Sequence, residues 1–479
     1  MSGGPLDFAL ILPPDGARGT RLLEALREAI FSGRLSPGER LPPSRALAAQ
    51  LGISRGTVVE AYDELVGEGY CAARVGAGTF VTMTSPPRRP DVVSAPARLS
   101  GWGRRLPSPE SPETETVPVQ YDFRSGLALE TFPGVALGRA LRRAADRLVA
   151  VHGAGDAAGS PRLRAAIAAY LARARAVRAD PSQVIIVSGT QQALDLATRL
   201  LIDAGDRVCV EDPGYPKALT VLRALGANLV PVPVDREGLR VSDLPANGAS
   251  MVYVTPSHQY PTGAVLSPER RLVLHDWAAE HDAWLLEDDY DSEFRYSGPP
   301  LPSLQGLDRA GRSLYLGSLS KLLHPALRAG YLVAPPALVS AAIAAKSSLD
   351  QATTPVVQEA LADLFESGEI ERHLQRASRA YRLRRGRLLA AFASHLPSTV
   401  DVWPVTGGLH AYIEVPGVDS VRLQHHARSR GVAVLDATGY HQAPPPAAAL
   451  VLWFSRIAPE LIEPGIVALA EAIRGASAS

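Results

Sequence analysis

Short runs of β-branched and other apolar residues alternate with helix-like segments between residues 184 and 333. Such runs are typical of strands buried in an α/β sheet. The pattern therefore predicts an α/β domain with a mostly parallel, seven-stranded sheet. The predicted strands are Val184–Val187, Arg207–Val210, Leu229–Val234, Met251–Thr255, Trp284–Leu286, Ser313–Leu316 and Gly330–Val333.

The first 83 residues have a different period, because their apolar residues recur at helical spacing. Gly33 and Gly52 end the first two predicted helices, and Ser54 is predicted to cap the third. A hairpin pattern with a turn at Gly76–Gly78 follows the helices. Two helices joined by a turn, followed by a hairpin wing, form an arrangement that reads DNA. The segments are Arg21–Phe31, Ser44–Leu51, Arg55–Leu65, Tyr70–Arg74 and Thr79–Thr82.

Polar clusters follow five of the predicted strands, and the carboxyl ends of strands are where open α/β sheets bind ligands. Lys321 closes the run that begins at Ser313, and Arg328 follows seven residues later. A lysine amine can form a Schiff base with pyridoxal 5'-phosphate (PLP), while hydroxyls and a guanidinium can hold its phosphate. Lys321 is therefore the candidate catalytic and cofactor-linking residue.

The other clusters offer groups suited to the rest of PLP. Asp288 could pair with the pyridine nitrogen, Tyr290 with the ring hydroxyl, and Tyr215 could cover the ring face. A simple helix cap, a solvated carboxylate and core aromatic rings are the alternative interpretations. The predicted phosphate-side residues, which include a helix N-terminus, are Gly189, Thr190, Gln191, Ser318, Ser320 and Arg328.

Residues from about 121 to 479 resemble a fold type I aminotransferase domain. The motifs that carry the resemblance are Lys321 with Arg328, Asp288 with Tyr290, the Pro-Thr-Gly turn at 261–263, and the strand Gly407-Gly-Leu-His-Ala-Tyr-Ile-Glu-Val. The resemblance implies PLP as cofactor, a smaller C-terminal lobe, and a carboxylate clamp at Arg456. Lys217, two residues after Tyr215, could add a second positive charge for an effector.

Residues 18–82 closely resemble the GntR-type winged helix. The matching segments are Gly33-Arg-Leu-Ser-Pro-Gly-Glu-Arg-Leu-Pro, Ser54-Arg-Gly-Thr-Val and Gly76-Ala-Gly-Thr-Phe-Val. A winged helix followed by an aminotransferase-like domain is the architecture of the MocR branch of GntR-type transcription regulators. This resemblance implies binding to a double-stranded DNA operator, a head-to-tail homodimer, and PLP or a small amine as the signal.

The sequence departs from the family pattern at three positions. Ala154 and Ala157 occupy places usually taken by tyrosine and proline, and that tyrosine usually helps to hold the partner subunit's phosphate. Tyr260 replaces the asparagine that enzymes usually carry before Pro-Thr-Gly. Loss of the tyrosine predicts weaker cofactor binding or a weaker contact across subunits, and Tyr260 predicts inefficient turnover. At most a weak transaminase half-reaction is therefore expected.

The predicted DNA-binding domain is unusual because it has no net positive charge. Residues 1–84 contain eight arginines, no lysine and nine acids, whereas DNA-binding domains are usually basic. We expect few phosphate contacts and tight binding only at paired half-sites, while a winged helix that binds protein is the alternative. The candidate residues are Ser44, Arg45, Ser54, Arg55, Thr57, Arg74, Gly76 and Gly78.

Length and composition indicate separate domains in a cytoplasmic protein. Residues 1–83 form the predicted winged helix, the proline-rich stretch 84–120 a linker, and 121–479 the effector domain. No apolar run is long enough to span a membrane and no leader is evident. Cys71 and Cys209 are far apart in sequence, so neither a disulfide nor a metal site is expected.

Three functions remain open from the sequence. The first is a PLP-dependent transcription regulator, the second an active aminotransferase with an appended DNA-binding domain, and the third a DNA-bound scaffold with an empty pocket.

Overall fold

The computed structural model describes residues 10, 17–82, 98–108, 118–148, 155–298, 301–443, 445 and 447–478. Contacts divide the chain into two compact units, Met1–Arg98 and Leu99–Ser479. Ala154 and most of the predicted linker lie outside the described residues.

The first unit contains all three predicted helices and the hairpin. Its elements are α1 (Arg18–Phe31), α2 (Ser44–Leu51), α3 (Arg55–Gly67), β1 (Cys71–Arg74) and β2 (Gly78–Val81). The two strands pair antiparallel, with Cys71 opposite Val81 and Arg74 opposite Gly78. The predicted cap is confirmed, since the Thr57 amide donates to Ser54 Oγ over 3.1 Å.

A small apolar core holds this unit together. Leu22 and Leu26 of α1 are fully buried, as are Leu47 of α2 and Val58 of α3. The buried Tyr62 hydroxyl donates to the carbonyl of Pro42 over 2.9 Å, which ties α3 to the segment before α2. The apolar residues at helical spacing thus face one shared core, and the polar faces of α2 and α3 remain exposed.

The second unit contains the remaining elements. Before the main sheet come α4 (Gly101–Arg105), β3 (Tyr121–Asp122), α5 (Gly134–Leu148) and α6 (Pro161–Arg175). The sheet region comprises β4 (Val184–Val187), α7 (Thr190–Leu201), β5 (Arg207–Asp212), α8 (Pro216–Leu225), β6 (Asn228–Asp235), β7 (Gly238–Leu239), β8 (Met251–Val254), α9 (Pro268–Glu280), β9 (Trp284–Asp289), α10 (Leu304–Leu307), β10 (Ser313–Ser318), α11 (Leu319–Leu322) and β11 (Gly330–Val333). The rest is α12 (Pro336–Asp350), α13 (Pro355–Glu366), α14 (Glu369–His395), β12 (Asp401–Val402), β13 (His410–Pro416), α15 (Ser420–Arg428), β14 (Val432–Ala433), β15 (Leu435–Asp436), β16 (Ala447–Trp453) and α16 (Pro459–Ala478).

The main sheet has the order β4-β11-β10-β9-β8-β5-β6-β7. All seven predicted strands are present, and most pairs are parallel, while β11 runs antiparallel to both of its neighbours. The eighth strand, β7, was not predicted. It forms because the chain turns after Asp235 and returns through Gly238, whose φ of 90° favours glycine.

Alternating side chains of the sheet face two different apolar layers. Val184 and Ile186 of β4 pack with α5, α6 and α13, whereas Ile185 and Val187 pack with α7, α8 and α12. Although β4 lies at one edge of the sheet, both of its faces are buried, which explains why its sequence is continuously apolar and does not alternate with polar residues. The sheet therefore lies between helices, as predicted for an α/β domain.

The smaller C-terminal lobe is built on a four-stranded sheet in the order β12-β13-β16-β15. Its core includes residues of α14, α15 and α16. Strand β3 belongs to this lobe, because Tyr121 and Asp122 pair in parallel with Val432 and Ala433 of β14.

Part of the predicted linker is helical rather than extended. Helix α4 is capped by Ser100, and Arg105 donates to the carbonyl of Ala224 over 3.0 Å. This cap and tertiary hydrogen bond stabilise a turn that has no apolar period of its own. Within the described ranges, no helix is both long and apolar enough to cross a membrane.

Candidate cofactor pocket and DNA-contacting surface

The parallel strands bring distant polar clusters to one edge of the main sheet. Asp288 of β9 lies opposite Leu316 of β10, and Val254 of β8 lies opposite Glu287. The segments that follow these strands therefore start side by side. This register places Asp288, Tyr290, the 255–263 loop and Lys321 around one crevice.

Asp288 is a buried carboxylate, and one of its two oxygens accepts a hydrogen bond. Its Oδ2 accepts from the Tyr253 hydroxyl over 2.7 Å, while Oδ1 has no hydrogen-bond partner among the described residues. Burial raises the pKa of Asp288 to about 7, and the neighbouring Asp289 and Asp291 add to the effect, against the hydrogen bond from Tyr253. An unpaired buried oxygen of this kind fits a cationic N–H partner, such as a protonated pyridine nitrogen.

Lys321 lies in α11, the single helical turn that follows β10. Its amine donates to Ser125 Oγ over 3.1 Å and lies 4.2 Å from the centre of the Trp453 ring. Burial lowers the pKa of Lys321 to about 8, Asp291 opposes this effect, and Lys217 adds to it. The amine is therefore closer to its neutral, nucleophilic form at pH 7 than an ordinary lysine.

The residues predicted to hold phosphate converge at the start of α7. Gly189 precedes this helix with a φ of 126°, and a side chain there would lie 3.7 Å from the Arg328 guanidinium. Ser318 Oγ accepts from the Ser320 amide over 3.1 Å, which leaves its own O–H free to donate. The N-terminus of α7 and the Arg328 guanidinium thus lie close together, and any larger residue at 189 would narrow the space between them.

Gln191, which was predicted on the phosphate side, contacts α8 in the structure. Its side-chain amide donates to the carbonyl of Lys217 over 3.2 Å, so it links α7 to α8. Thr190, the first residue of α7, lies beside it at the helix N-terminus.

Aromatic rings line the opposite side of the crevice. The rings of Tyr215 and Tyr260 meet edge to face at 5.3 Å, and Tyr260 meets Tyr290 at 5.9 Å. Burial raises the pKa of Tyr215 to about 12, with Asp288 contributing, so Tyr215 lies close to that carboxylate. Tyr260, which stands where enzymes carry asparagine, packs among rings and also contacts His410.

Arg456 and Lys217 provide the two cations predicted for an effector carboxylate. Arg456 Nη1 lies 3.1 Å from Asp122 Oδ2, and 53% of its side chain remains exposed. Burial alone would raise the pKa of Asp122, but Arg124 and Arg456 outweigh it and the pKa falls. Arg456 therefore already contacts one carboxylate, and an incoming carboxylate would compete with Asp122.

Several residues of the crevice were not predicted from the sequence. His258, Asp291 and His410 are buried, and each offers one atom to a group whose members lie within 4.8 Å of one another. Ser125 and Trp453 contact Lys321. His410 and Trp453 belong to β13 and β16 of the small lobe, so no local motif linked them to Lys321.

The predicted DNA-contacting residues lie at the exposed ends of two helices and on the wing. Arg55 opens α3 and its Nε donates to Ser44 Oγ at 3.3 Å, while Arg45 is exposed beside it. On the hairpin, Arg74 lies 4.8 Å above the Phe80 ring. Gly76 and Gly78 both have positive φ, and a side chain at Gly78 would lie 2.7 Å from Arg40 Nε.

Comparisons with known proteins address both units. Residues 19–81 match the family "Bacterial regulatory proteins, gntR family", and residues 127–447 match "Aminotransferase class I and II". A protein of Rhizobium meliloti named "Probable rhizopine catabolism regulatory protein MocR" is 37% identical over 465 residues, which cover 94% of this chain and 93% of the relative. The chain belongs to the MocR class of GntR-type transcription regulators.

Other relatives of this regulator agree with that membership. The "HTH-type pyridoxine biosynthesis transcriptional regulator PdxR" of Corynebacterium glutamicum is 36% identical over 400 residues, or 82% of each chain. Kynurenine aminotransferase of Pyrococcus horikoshii superposes with a TM-score of 0.70 at 30% identity, over 75% of this chain and 92% of that one. The predicted aminotransferase-like fold is confirmed, and this fold implies the use of PLP.

Proposed function

We propose that this regulator binds an operator through its winged helix and senses PLP, or a small amino compound that reacts with PLP, in the crevice of its second unit. The observation that supports the proposal best is the buried, unpaired Oδ1 of Asp288, in a chain that also carries a buried lysine, Lys321, and a winged helix. A scaffold with a vestigial pocket would gain nothing from burying such a carboxylate.

The residues of the crevice offer a partner for each part of PLP. When bound, PLP supplies an aldehyde carbon for a Schiff base with Lys321 and an electron-accepting ring. Asp288 would hold the ring nitrogen, Tyr290 the ring oxygen, and Tyr215 would cover the ring. Gly189, Thr190, Ser318, Ser320 and Arg328 would hold the phosphate, and Lys321 would be the catalytic residue of any half-reaction.

An amino acid effector would be held by its carboxylate. Arg456 would exchange Asp122 for the effector, and Lys217 would add a second positive charge near Lys321. Asp122 lies on β3, directly after the 84–120 segment, and Arg124 would still hold it after Arg456 leaves. Loss of the Arg456 contact is therefore a direct way for the crevice to act on β3 and the linker. A ligand acts only through different affinities for two states, and this exchange of partners distinguishes two states.

PLP itself is the second candidate signal. The printed name of the Corynebacterium glutamicum relative refers to pyridoxine biosynthesis, which supports a role for the vitamin B6 pool. Alanine at position 154, where the family usually has tyrosine, would remove one phosphate contact and make occupancy depend on PLP concentration.

Efficient transamination is the alternative function, and Tyr260 argues against it. Catalysis requires the substrate Cα proton to be held beside the freed lysine, and asparagine before Pro-Thr-Gly usually helps to orient the ring. Here Tyr260 packs between Tyr215, Tyr290 and His410 instead. We therefore expect exchange of amines on the cofactor without useful turnover.

DNA reading is assigned to the exposed start of α3. Arg55 and Thr57 would contact base edges, and Ser44, Arg45, Ser54, Arg74, Gly76 and Gly78 would position the backbone. Because the unit lacks an excess of positive charge, we propose a head-to-tail homodimer that engages two half-sites at once.

A two-step titration tests the function. Protein freed of cofactor is titrated with PLP, and the loaded protein is then titrated with candidate amino acids, while operator affinity is followed at fixed salt concentration. A change in the first step alone supports PLP as the signal, and a change in the second supports an amine. Rapid formation of keto acid would instead favour the enzyme, and the lack of a visible band after PLP addition would exclude a PLP sensor.

A further inference from the structure

Three buried groups behind Tyr290 have no role in the function proposed above. His258 follows β8, Asp291 follows Tyr290, and His410 opens β13 of the small lobe. Each is at most 3% exposed. The described residues provide no hydrogen-bond partner for His258 Nε2, for His410 Nδ1, or for either oxygen of Asp291.

The Nδ1 atom of His258 lies between two of the neighbouring groups. It is 3.0 Å from the Tyr290 hydroxyl, with hydrogen-bond geometry, and 3.2 Å from Asp291 Oδ2, which is an ion-pair distance. An ionised carboxylate can only accept, so Asp291 favours a proton on Nδ1. That N–H is then available to the Tyr290 oxygen.

Two glycines allow the imidazole to occupy this place. A side chain at Gly408 would lie 1.9 Å from His258 Cε1, and one at Gly263 would lie 3.0 Å from Nε2. The ring is therefore confined between the Pro-Thr-Gly turn and the start of the small-lobe strand. Confinement fixes the direction of Nδ1, which a mobile surface histidine would not achieve.

We propose that His258 is a positioning residue for Tyr290, kept in its Nδ1–H form by Asp291, so that Tyr290 accepts from His258 and donates its own proton to the ring oxygen of the cofactor. A phenol that accepts one hydrogen bond is polarised and becomes a stronger donor in the next. Without the N–H, Nδ1 would instead be an acceptor and would draw the Tyr290 proton toward itself. This inference rests on the proposed PLP site and deepens it.

The alternative for these groups is a metal site, since two imidazoles and one carboxylate form a common ligand set. The contact between His258 and Tyr290 favours the positioning role. His410 has a separate partner, because its Nε2 lies 3.0 Å from the carbonyl oxygen of Pro261. Burial, together with His258 and Lys321, holds the pKa of His410 well below its usual value, so His410 remains neutral.

The test compares two amide substitutions at one position. In His258→Asn the amide nitrogen can take the place of Nδ1, whereas in His258→Gln the amide lies further out, near the place of Nε2. The readout is the pH at which the visible band of the PLP-loaded protein titrates. Both variants leave the other titratable groups that face the site unchanged. These groups are Asp291, His410, Lys321, Asp288, Tyr260 and Glu211.

We expect His258→Gln to raise the titration midpoint by about 0.5–1 pH unit, because weaker donation to the ring oxygen strengthens that oxygen's hold on the Schiff-base proton. PLP affinity should fall about three- to tenfold. The Asn variant should stay near the parent, as should His275→Gln, which alters a half-buried histidine of α9 bonded to the carbonyl of Leu304.

Combination with Tyr290→Phe separates positioning from a merely structural effect. His258→Gln should cause no further shift once the Tyr290 hydroxyl is gone. Equal shifts in the Asn and Gln variants would overturn the proposal, and so would a Gln shift that persists in the Phe background. One tightly bound divalent metal per chain, whose removal by a chelator moves the band, would also overturn it. A parent protein without a visible band would instead contradict the PLP site itself.

Discussion

The two units differ in where their functional polar groups lie. In the winged helix, Arg55, Arg45 and Arg74 are exposed at element ends, and nearby groups such as Ser54 and Ser44 bond to them or to the local backbone. In the second unit, Asp288, His258 and Asp291 are buried with unpaired atoms. A surface that binds a long polyanion needs only to be displayed, whereas a pocket for a small charged cofactor has to remove its polar groups from water beforehand.

The largest expected effect is the loss of the bond between Lys321 and PLP in the second unit, while the winged helix remains intact. Lys321→Ala should abolish the visible band that borohydride reduces, because the Lys321 amine is the one proposed to form the Schiff base. Absorption spectra and thermal unfolding measure this. Lys217→Ala is the matched control and should keep the band. A reducible band in the Ala variant would assign the link to another residue.

Substitution of Asp288 tests whether burial of its carboxyl group lowers the free energy of unfolding. Its pKa of about 7 lies above the value near 3.9 of an unfolded chain, so its carboxyl favours folding at low pH, and this contribution is lost as pH rises toward 7. Asp288→Asn should therefore stabilise the cofactor-free protein at pH 8 by up to roughly 4 kcal/mol, with the difference shrinking toward pH 4. Denaturant unfolding at both pH values measures it, and PLP affinity should fall in the same variant. A gain that is independent of pH would contradict this assignment.

Substitution of Arg55 tests the exposed DNA-contacting surface through its effect on operator binding. Loss of a bidentate contact to guanine costs about 1–3 kcal/mol, so Arg55→Ala should weaken operator binding about tenfold or more. Cofactor spectra should not change. Arg18→Ala removes an exposed arginine from α1 of the same unit and serves as control for charge alone. Equal losses in the two variants would indicate a purely electrostatic surface.

The smallest expected effect concerns the cap that positions this surface. Ser54 accepts from the Thr57 amide, and Ser54→Ala should destabilise the first unit by about 1 kcal/mol. Ser54→Asp can still accept that hydrogen bond and should retain most of the stability. Urea unfolding followed by helix content measures both. A neutral Ala variant would show that tertiary packing, not the cap, fixes the start of α3.

Local patterns were sufficient wherever the decisive contacts are close in sequence. The limits of α2 and the starts of α3, β4, β5 and β9 were predicted from apolar period, glycine punctuation and one serine cap. The motif around Lys321, Asp288 and Tyr290 gave the expected family, and the comparisons confirm it. The carboxyl ends of parallel strands lie at the same edge of a sheet, so the position of the crevice could also be predicted.

Other features depend on contacts between distant segments. Strand β7 forms by pairing across a turn, α4 is stabilised by a hydrogen bond to Ala224, and Asp122 reaches Arg456 across 334 positions of the chain. His258, Asp291 and His410 come from three elements, and no spacing in the sequence relates them.

The sequence by itself determined the order of the two units, the α/β class of the second, and the residue types available for PLP and DNA. Only the tertiary structure decided which groups are buried together, that Asp288 keeps an unpaired oxygen, and that His258 lies against Tyr290. The physical reason is that periodicity and capping act over a few residues, while burial and its effect on pKa arise from all the elements that pack around a group.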